Sequence, residues 1–123
     1  MQLVAWWKTV VLERFAQFSG RAGRAEYWWF VLANLIITLV LNALGRASWL
    51  FLVLSLGYSI ALIVPSIAVG IRRLHDTGRS GWWLLIILVP LAGIIVLVVF
   101  LATEGEPGPN RYGPPPPREP LAA

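Results

Sequence analysis

Residues 18–29 read FSGRAGRAEYWW and residues 72–83 read RRLHDTGRSGWW. Between them they hold most of the side chains that could do chemistry: Arg21, Arg24 and Glu26 in the first, Arg72, Arg73, His75, Asp76, Arg79 and Ser80 in the second. Three chemistries fit these types. One is anion binding: a Gly-Arg-Ser-Gly turn at a helix start offers free backbone N–H groups beside guanidinium groups, which suits a phospholipid headgroup. The second is an internal clamp, with Glu26 reaching an arginine of the 72–81 connector such as Arg79, and Asp76 placed for local ion pairs with Arg72 and Arg73. The third is acid–base catalysis by His75 and Asp76. Neighbouring helix residues do not face each other, and no nucleophile accompanies them, so this reading is the weakest. With one histidine and no cysteine, neither a metal centre nor a bound cofactor is expected.

The elements that position these groups follow from composition. The chain has 123 residues, 58% hydrophobic and 13% charged, with a mean hydropathy of +0.72. A soluble domain of this length cannot bury that much apolar surface, so lipid is the solvent for most of it. The formal charge of +4 is carried almost wholly by arginine and lacks the broad basic face that nucleic acid requires.

Three stretches reach the roughly 20 residues that cross a bilayer: about 27–45, 49–71 and 82–102. Each opens on tryptophan, an interface residue, and lipid obliges all three to be helical. The expected fold class is an all-α membrane protein with three transmembrane helices and an interfacial amphipathic helix over 1–18. On that first helix Leu3, Val4, Trp7, Val10, Val11, Phe15 and Phe18 share a side and Thr9 lies opposite, with Gly20 ending it. Pro90 and Gly93 mark the third span as the one that could kink or turn back as a re-entrant hairpin, a true span being the expectation. Pro65 should bend the second span near its connector end. Gly78 should cap its C-terminus and Ser80 should cap the next helix.

Lys8, Arg14, Arg21 and Arg24 precede the first span, and Arg72, Arg73 and Arg79 follow the second, while Arg46 stands alone between them. The positive-inside rule then places the N-terminus and the connector in the cytoplasm and, with three spans, the tail outside. Residues 104–123 are rich in proline and glycine and are expected to be extended or disordered, with polyproline II character near Pro114 to Pro117. Within the spans, Asn34, Thr38 and Asn42 share one helix face. Ser55, Ser59 and Ser66, near Gly70, share another. The two stripes should face each other as hydrogen-bonded packing, with a polar pathway as the alternative.

The succession FSGRAGRAEYWWF, a proline late in the second span, RRLHDTGRSGWWLL, PLAG and GEPGPNRYG resembles the YhaH-like bacterial inner-membrane proteins, domain of unknown function 805. The resemblance runs from about Phe15 to Gly113. It implies a small polytopic inner-membrane protein of bacteria with no established activity and no catalytic residue to carry over. It points besides to Gly20, Tyr27, Trp28, Gly81, Trp82, Asn110 and Gly113. The function expected is that of a non-enzymatic membrane component. It would bind anionic phospholipid, a membrane protein partner or further copies of itself through Arg21, Arg24, Arg72, Arg73, His75, Arg79 and Ser80, with Glu26 and Asp76 as a structural clamp. An oligomeric transport component is the alternative.

Overall fold

The computed structural model describes residues 2–117. Helix α1 (Gln2–Lys8) runs into a wider π turn over Thr9–Glu13. There follow α2 (Arg24–Leu44), α3 (Trp49–Ala61), α4 (Ile63–Asp76), a 3-10 arm (Gly81–Leu88) and α5 (Ala92–Ala102).

Helix α2 has 21 residues, about 32 Å at 1.5 Å per residue, enough for a hydrocarbon core of about 30 Å. Its side chains are chiefly apolar, and Leu35, Leu39 and Val40 are exposed, as a lipid-facing helix requires. The chain turns at Gly45, Ser48 Oγ accepts from the Leu50 N–H at 3.3 Å to start α3, and the path returns through α3 and α4. These two helices meet at Leu62 with a bend of 41°. Pro65 has no N–H to donate to the Ala61 carbonyl four residues back, so the helical ladder opens just before it. Helix α4 ends as its sequence dictates. Gly78 adopts φ +77° and Arg79 N–H reaches back to the Leu74 carbonyl at 2.9 Å, the six-to-one bond of a Schellman cap. Ser80 Oγ then accepts from the Trp82 N–H at 3.3 Å.

Residues 82–102 do not form a third full span. The 3-10 arm covers eight residues, about 16 Å at 2.0 Å per residue. Helix α5 covers eleven, also about 16 Å at 1.5 Å per residue. The arms are therefore matched in depth. Between them the chain reverses at Val89, Pro90 and Leu91, where Leu91 holds φ +60°, a conformation that costs a branched residue free energy. The arms touch at Gly93: a Cβ there would lie 1.8 Å from the Ile86 carbonyl oxygen. The end of α5 comes back to the level at which the arm began. Trp28 Nε1, at the start of α2, donates to the Leu101 carbonyl at 3.2 Å, and Arg73 Nε donates to the same oxygen at 2.8 Å. The segment is a re-entrant hairpin of about half the bilayer depth, because a strained turn and a glycine contact bring its two arms together.

The N-terminal helix also departs from expectation. It does not lie flat in the interface over 1–18. It leans antiparallel along α2, from Arg14 beside Glu26 to Leu3 and Val4, which share a hollow with Ile36 and Ile37. Trp6, Thr9 and Val10 are fully buried, whereas Phe15 and Phe18 are exposed. The π turn explains the change of face. Arg14 N–H bonds the Thr9 carbonyl five residues back, and the extra residue rotates the helix so that Thr9 turns inward. Its hydroxyl is satisfied by the Ala5 carbonyl at 3.0 Å. The helix ends at Glu13, and Gly20 (φ +89°) belongs to the loop that follows.

Candidate functional site

The start of α2, the end of α4, the end of α5 and the loop after α1 meet at one face of the bundle. Adjacent residues of a helix point in different directions, and Arg72 and Arg73 accordingly serve two separate clusters. In the first, Glu26 of α2 accepts from Arg72 Nη1 and, at 2.7 Å, from Arg14 Nη1. Arg72 Nε also donates to the Gln17 carbonyl at 2.9 Å. In the second, Asp76 accepts from Arg73 Nη1 at 2.7 Å and from Arg21 Nη2 at 2.9 Å. Arg73 reaches the carbonyls of Leu101 and Thr103, which fastens α4 to the hairpin. Arg72 and Arg73 are wholly buried, Glu26 likewise, and Asp76 and Arg21 almost so.

Two helix termini make this arrangement electrostatically sound. Glu26 sits in the first turn of α2, where the helix dipole favours an anion, and the arginines sit at the end of α4, where it favours cations. Four guanidinium groups still face only two carboxylates. The excess positive charge is met by backbone carbonyls, in charge-assisted hydrogen bonds that are stronger than neutral ones.

Many of those carbonyls come from the tail. Arg21 Nη1 donates to the Gly108 carbonyl at 2.6 Å and Nη2 to the Glu106 carbonyl at 2.5 Å. Glu106 N–H bonds the Asp76 carbonyl at 2.8 Å, and Asn110 Nδ2 donates to the His75 carbonyl at 3.0 Å. Asn110 and Gly113 exchange N–H···O bonds of 3.0 Å, which closes a tight turn and lays Tyr112 flat on His75, ring centroids 4.0 Å apart. The approach is close enough that a Cβ at Gly105 would stand 2.0 Å from Asp76 Oδ2. Residues 104–113 are thus an ordered strap on the same face as the connector, rather than a disordered tail on the opposite one. Residues 118–123 of the expected tail lie outside the described residues.

The candidate anion-binding residues do not form one exposed cluster. Arg21, Arg72 and Arg73 are consumed in internal pairs. Arg79 lies 4.0 Å over the Phe100 ring and is not the partner of Glu26. Ser80 is a helix cap. His75 Nδ1 donates to the Gly20 carbonyl at 3.0 Å, and burial pushes its pKa below the ordinary histidine value, against the raising effect of that bond. Arg24 remains exposed. It borders a hollow of about 370 Å3 lined by Trp28, Trp29 and Leu32. Sequence reasoning missed three partners of the network. Arg14 reads as a snorkelling residue within an apolar stripe, Tyr112 carries no local signal, and backbone carbonyls carry none by nature.

Lipid-facing helices assembled around a buried arginine–carboxylate network define a helical integral membrane protein. The chain belongs to the family described as protein of unknown function (DUF805), whose model matches residues 15–114. It is 44% identical over 119 residues to inner membrane protein YhaH of Escherichia coli strain K12, covering 93% of this chain and 98% of that one. It is 48% identical over 108 residues to inner membrane protein YhaI of the same strain, covering 87% and 92%. The uncharacterized protein YiiR of that strain is 31% identical over 121 residues, covering 78% and 83%. No solved structure matches the chain. The chain is accordingly a bacterial inner-membrane protein in character.

Proposed function

We propose that this protein is a non-catalytic inner-membrane component that gathers anionic phospholipid at its arginine face, and that this face is cytoplasmic. One observation carries the reading. The network engages Arg14, Arg21, Arg72 and Arg73 internally and leaves Arg24 exposed at the first residue of α2, beside the Trp28, Trp29 and Leu32 hollow. A phosphate at Arg24 with an acyl chain against the tryptophans matches the chemistry of the headgroup boundary. Arg79, half-buried, and Arg111, exposed, extend the positive field. His75 and Asp76 are held by Gly20, Arg21 and Arg73, which supports a structural rather than an acid–base role.

The orientation rests on the same asymmetry: Arg46 alone marks the opposite end of the bundle. Because the hairpin returns, the strap is assigned to the cytoplasm with the connector. The test is native mass spectrometry in mild detergent on the wild type, Arg24→Gln and Arg72→Gln. The wild type should retain phosphatidylglycerol or cardiolipin above its membrane abundance. Arg24→Gln should lose it at an unchanged melting temperature, whereas Arg72→Gln should lower the melting temperature first. Equal, unselective lipid in wild type and Arg24→Gln refutes the proposal. Glu104→Cys, in a chain with no native cysteine, should react with an impermeant maleimide only after cells are permeabilised.

A further inference from the structure

Between α2 and the α3–α4 pair the bundle does not close. The two polar stripes do face each other, but a side-chain bond joins them only at Asn42 and Ser55, with Nδ2 and Oγ 3.4 Å apart. Nearer the arginine face lie two adjoining hollows of about 310 Å3 each, which share Asn34, Thr38 and Ser66. Tyr58 and Ser59 close one side, and Leu62, where the helix bends, forms part of the wall.

Three features specify what such a groove takes. Asn34 is ten residues into α2 from Arg24, about 15 Å down the helix and so near the midplane of a core about 30 Å thick. No Asp, Glu, Lys, Arg or His lines either hollow, so a charged ligand would be stripped of water with nothing to pair with it. Asn34 Oδ1 is inaccessible and has no hydrogen-bond partner among the described residues. An unmet acceptor in hydrocarbon is costly, and it calls for a donor. The phenol of Tyr58 accepts from Trp7 Nε1 at 3.0 Å, which leaves its own hydrogen free to be donated. The groove therefore offers both an acceptor and a donor, and a hydroxyl is the smallest group that answers both. Its rim is aliphatic and open: Leu35, Ile63 and Ile67 are exposed.

We infer that this groove binds an uncharged lipid alcohol, with its hydroxyl head at Asn34 and its apolar body along Leu35, Ile63 and Ile67. A phospholipid is excluded by the cost of drawing its phosphate to the midplane. Diacylglycerols and prenyl alcohols share the required chemistry, and the experiment separates them.

The full-length protein is reconstituted in phosphatidylethanolamine–phosphatidylglycerol vesicles with either a photoreactive diacylglycerol or a photoreactive farnesol. After irradiation, labelled peptides are mapped by mass spectrometry. One probe should label the segments that carry Asn34 and Ser59 saturably. The matching unlabelled alcohol should compete, and added phosphatidylglycerol should not. Asn34→Leu should reduce saturable labelling by about tenfold, the scale of one buried hydrogen bond. Ser59→Leu fills the groove from the other wall while keeping Asn34, and it should reduce labelling as well, which covers the case in which Asn34→Leu fails to fold. Labelling that never saturates, that is unchanged in folded Asn34→Leu or Ser59→Leu, or that yields instead to cross-links between two copies at this groove overturns the inference.

Discussion

Removing Glu26 should cost more than removing either of its partners. Its carboxylate is fully buried and holds two guanidinium groups, Arg72 with no exposed side-chain surface and Arg14 with 10%. Glu26→Gln leaves both cations in the interior and raises the excess positive charge of the network by one. Breaking a buried ion pair by deleting one partner costs about 3–5 kcal/mol, and here two pairs lose the same partner, so the upper end of that range is expected. Arg72→Met leaves Glu26 still paired with Arg14, so its cost should fall at or below the lower end. The double variant removes a buried charge pair and substitutes apolar volume, which is often close to neutral. The two changes should therefore be strongly non-additive, with a coupling of roughly 2 kcal/mol or more. Arg79→Met is the control. Its cation–π contact with Phe100 is worth about 0.5–1 kcal/mol, and Arg79→Glu should not rescue Glu26→Lys. Reversible unfolding by SDS titration in mixed micelles, followed by tryptophan fluorescence, gives each free energy. Additivity within about 0.5 kcal/mol, or an Arg79 effect as large as that of Arg72, would refute the paired-cluster account.

Two further outcomes follow from particular contacts. Gly93→Ala places a methyl group where the Ile86 carbonyl stands. It should destabilise the hairpin by about 1–3 kcal/mol, read as a lowered melting temperature and protease cleavage between 81 and 103. Burial lowers the His75 pKa below its unfolded value of 6.5, so protonation favours the unfolded chain. Its contribution to stability is intact above pH 6.5 and is lost as pH falls from there through the folded-state value. The melting temperature should drop over that interval in the wild type, and this component should vanish in His75→Gln; an identical drop in both excludes His75 as the titrating group.

What the sequence made legible was local. Gly78 and Ser80 cap because a left-handed turn and a hydroxyl acceptor are written into single residues, and α2 is apolar over a bilayer's thickness. Pro65 announces a break because it lacks an N–H wherever it is placed. The hairpin was less legible, since an apolar stretch of 21 residues serves a span or two half-depth arms equally well. The deciding facts are the positive φ of Leu91 and the closeness of Gly93 to Ile86, and Pro90 and Gly93 were their only trace. The N-terminal helix was misread for a precise physical cause: a wheel assumes 3.6 residues per turn throughout, and the π turn at Thr9–Glu13 breaks that phase. The choice of Arg72 over Arg79 for Glu26 depends on how α2 and α4 pack, which spacing along one helix does not encode. The strap was hidden because composition registers its prolines and glycines but not the carbonyls they present to Arg21.

Both half-depth elements enter from the same side. Helix α1 and the hairpin each occupy the half of the bilayer next to the arginine face, alongside α2 and α4, while beyond the midplane α2 and α3 continue without them. Each helix is about 10 Å across, so the two leaflets are asked to surrender unequal areas to one molecule. The protein is a wedge with its broad end at the arginines. Lateral pressure on such a wedge differs between leaflets, so its insertion energy depends on local curvature. At high density, copies sharing one orientation would bow the membrane toward the broad end.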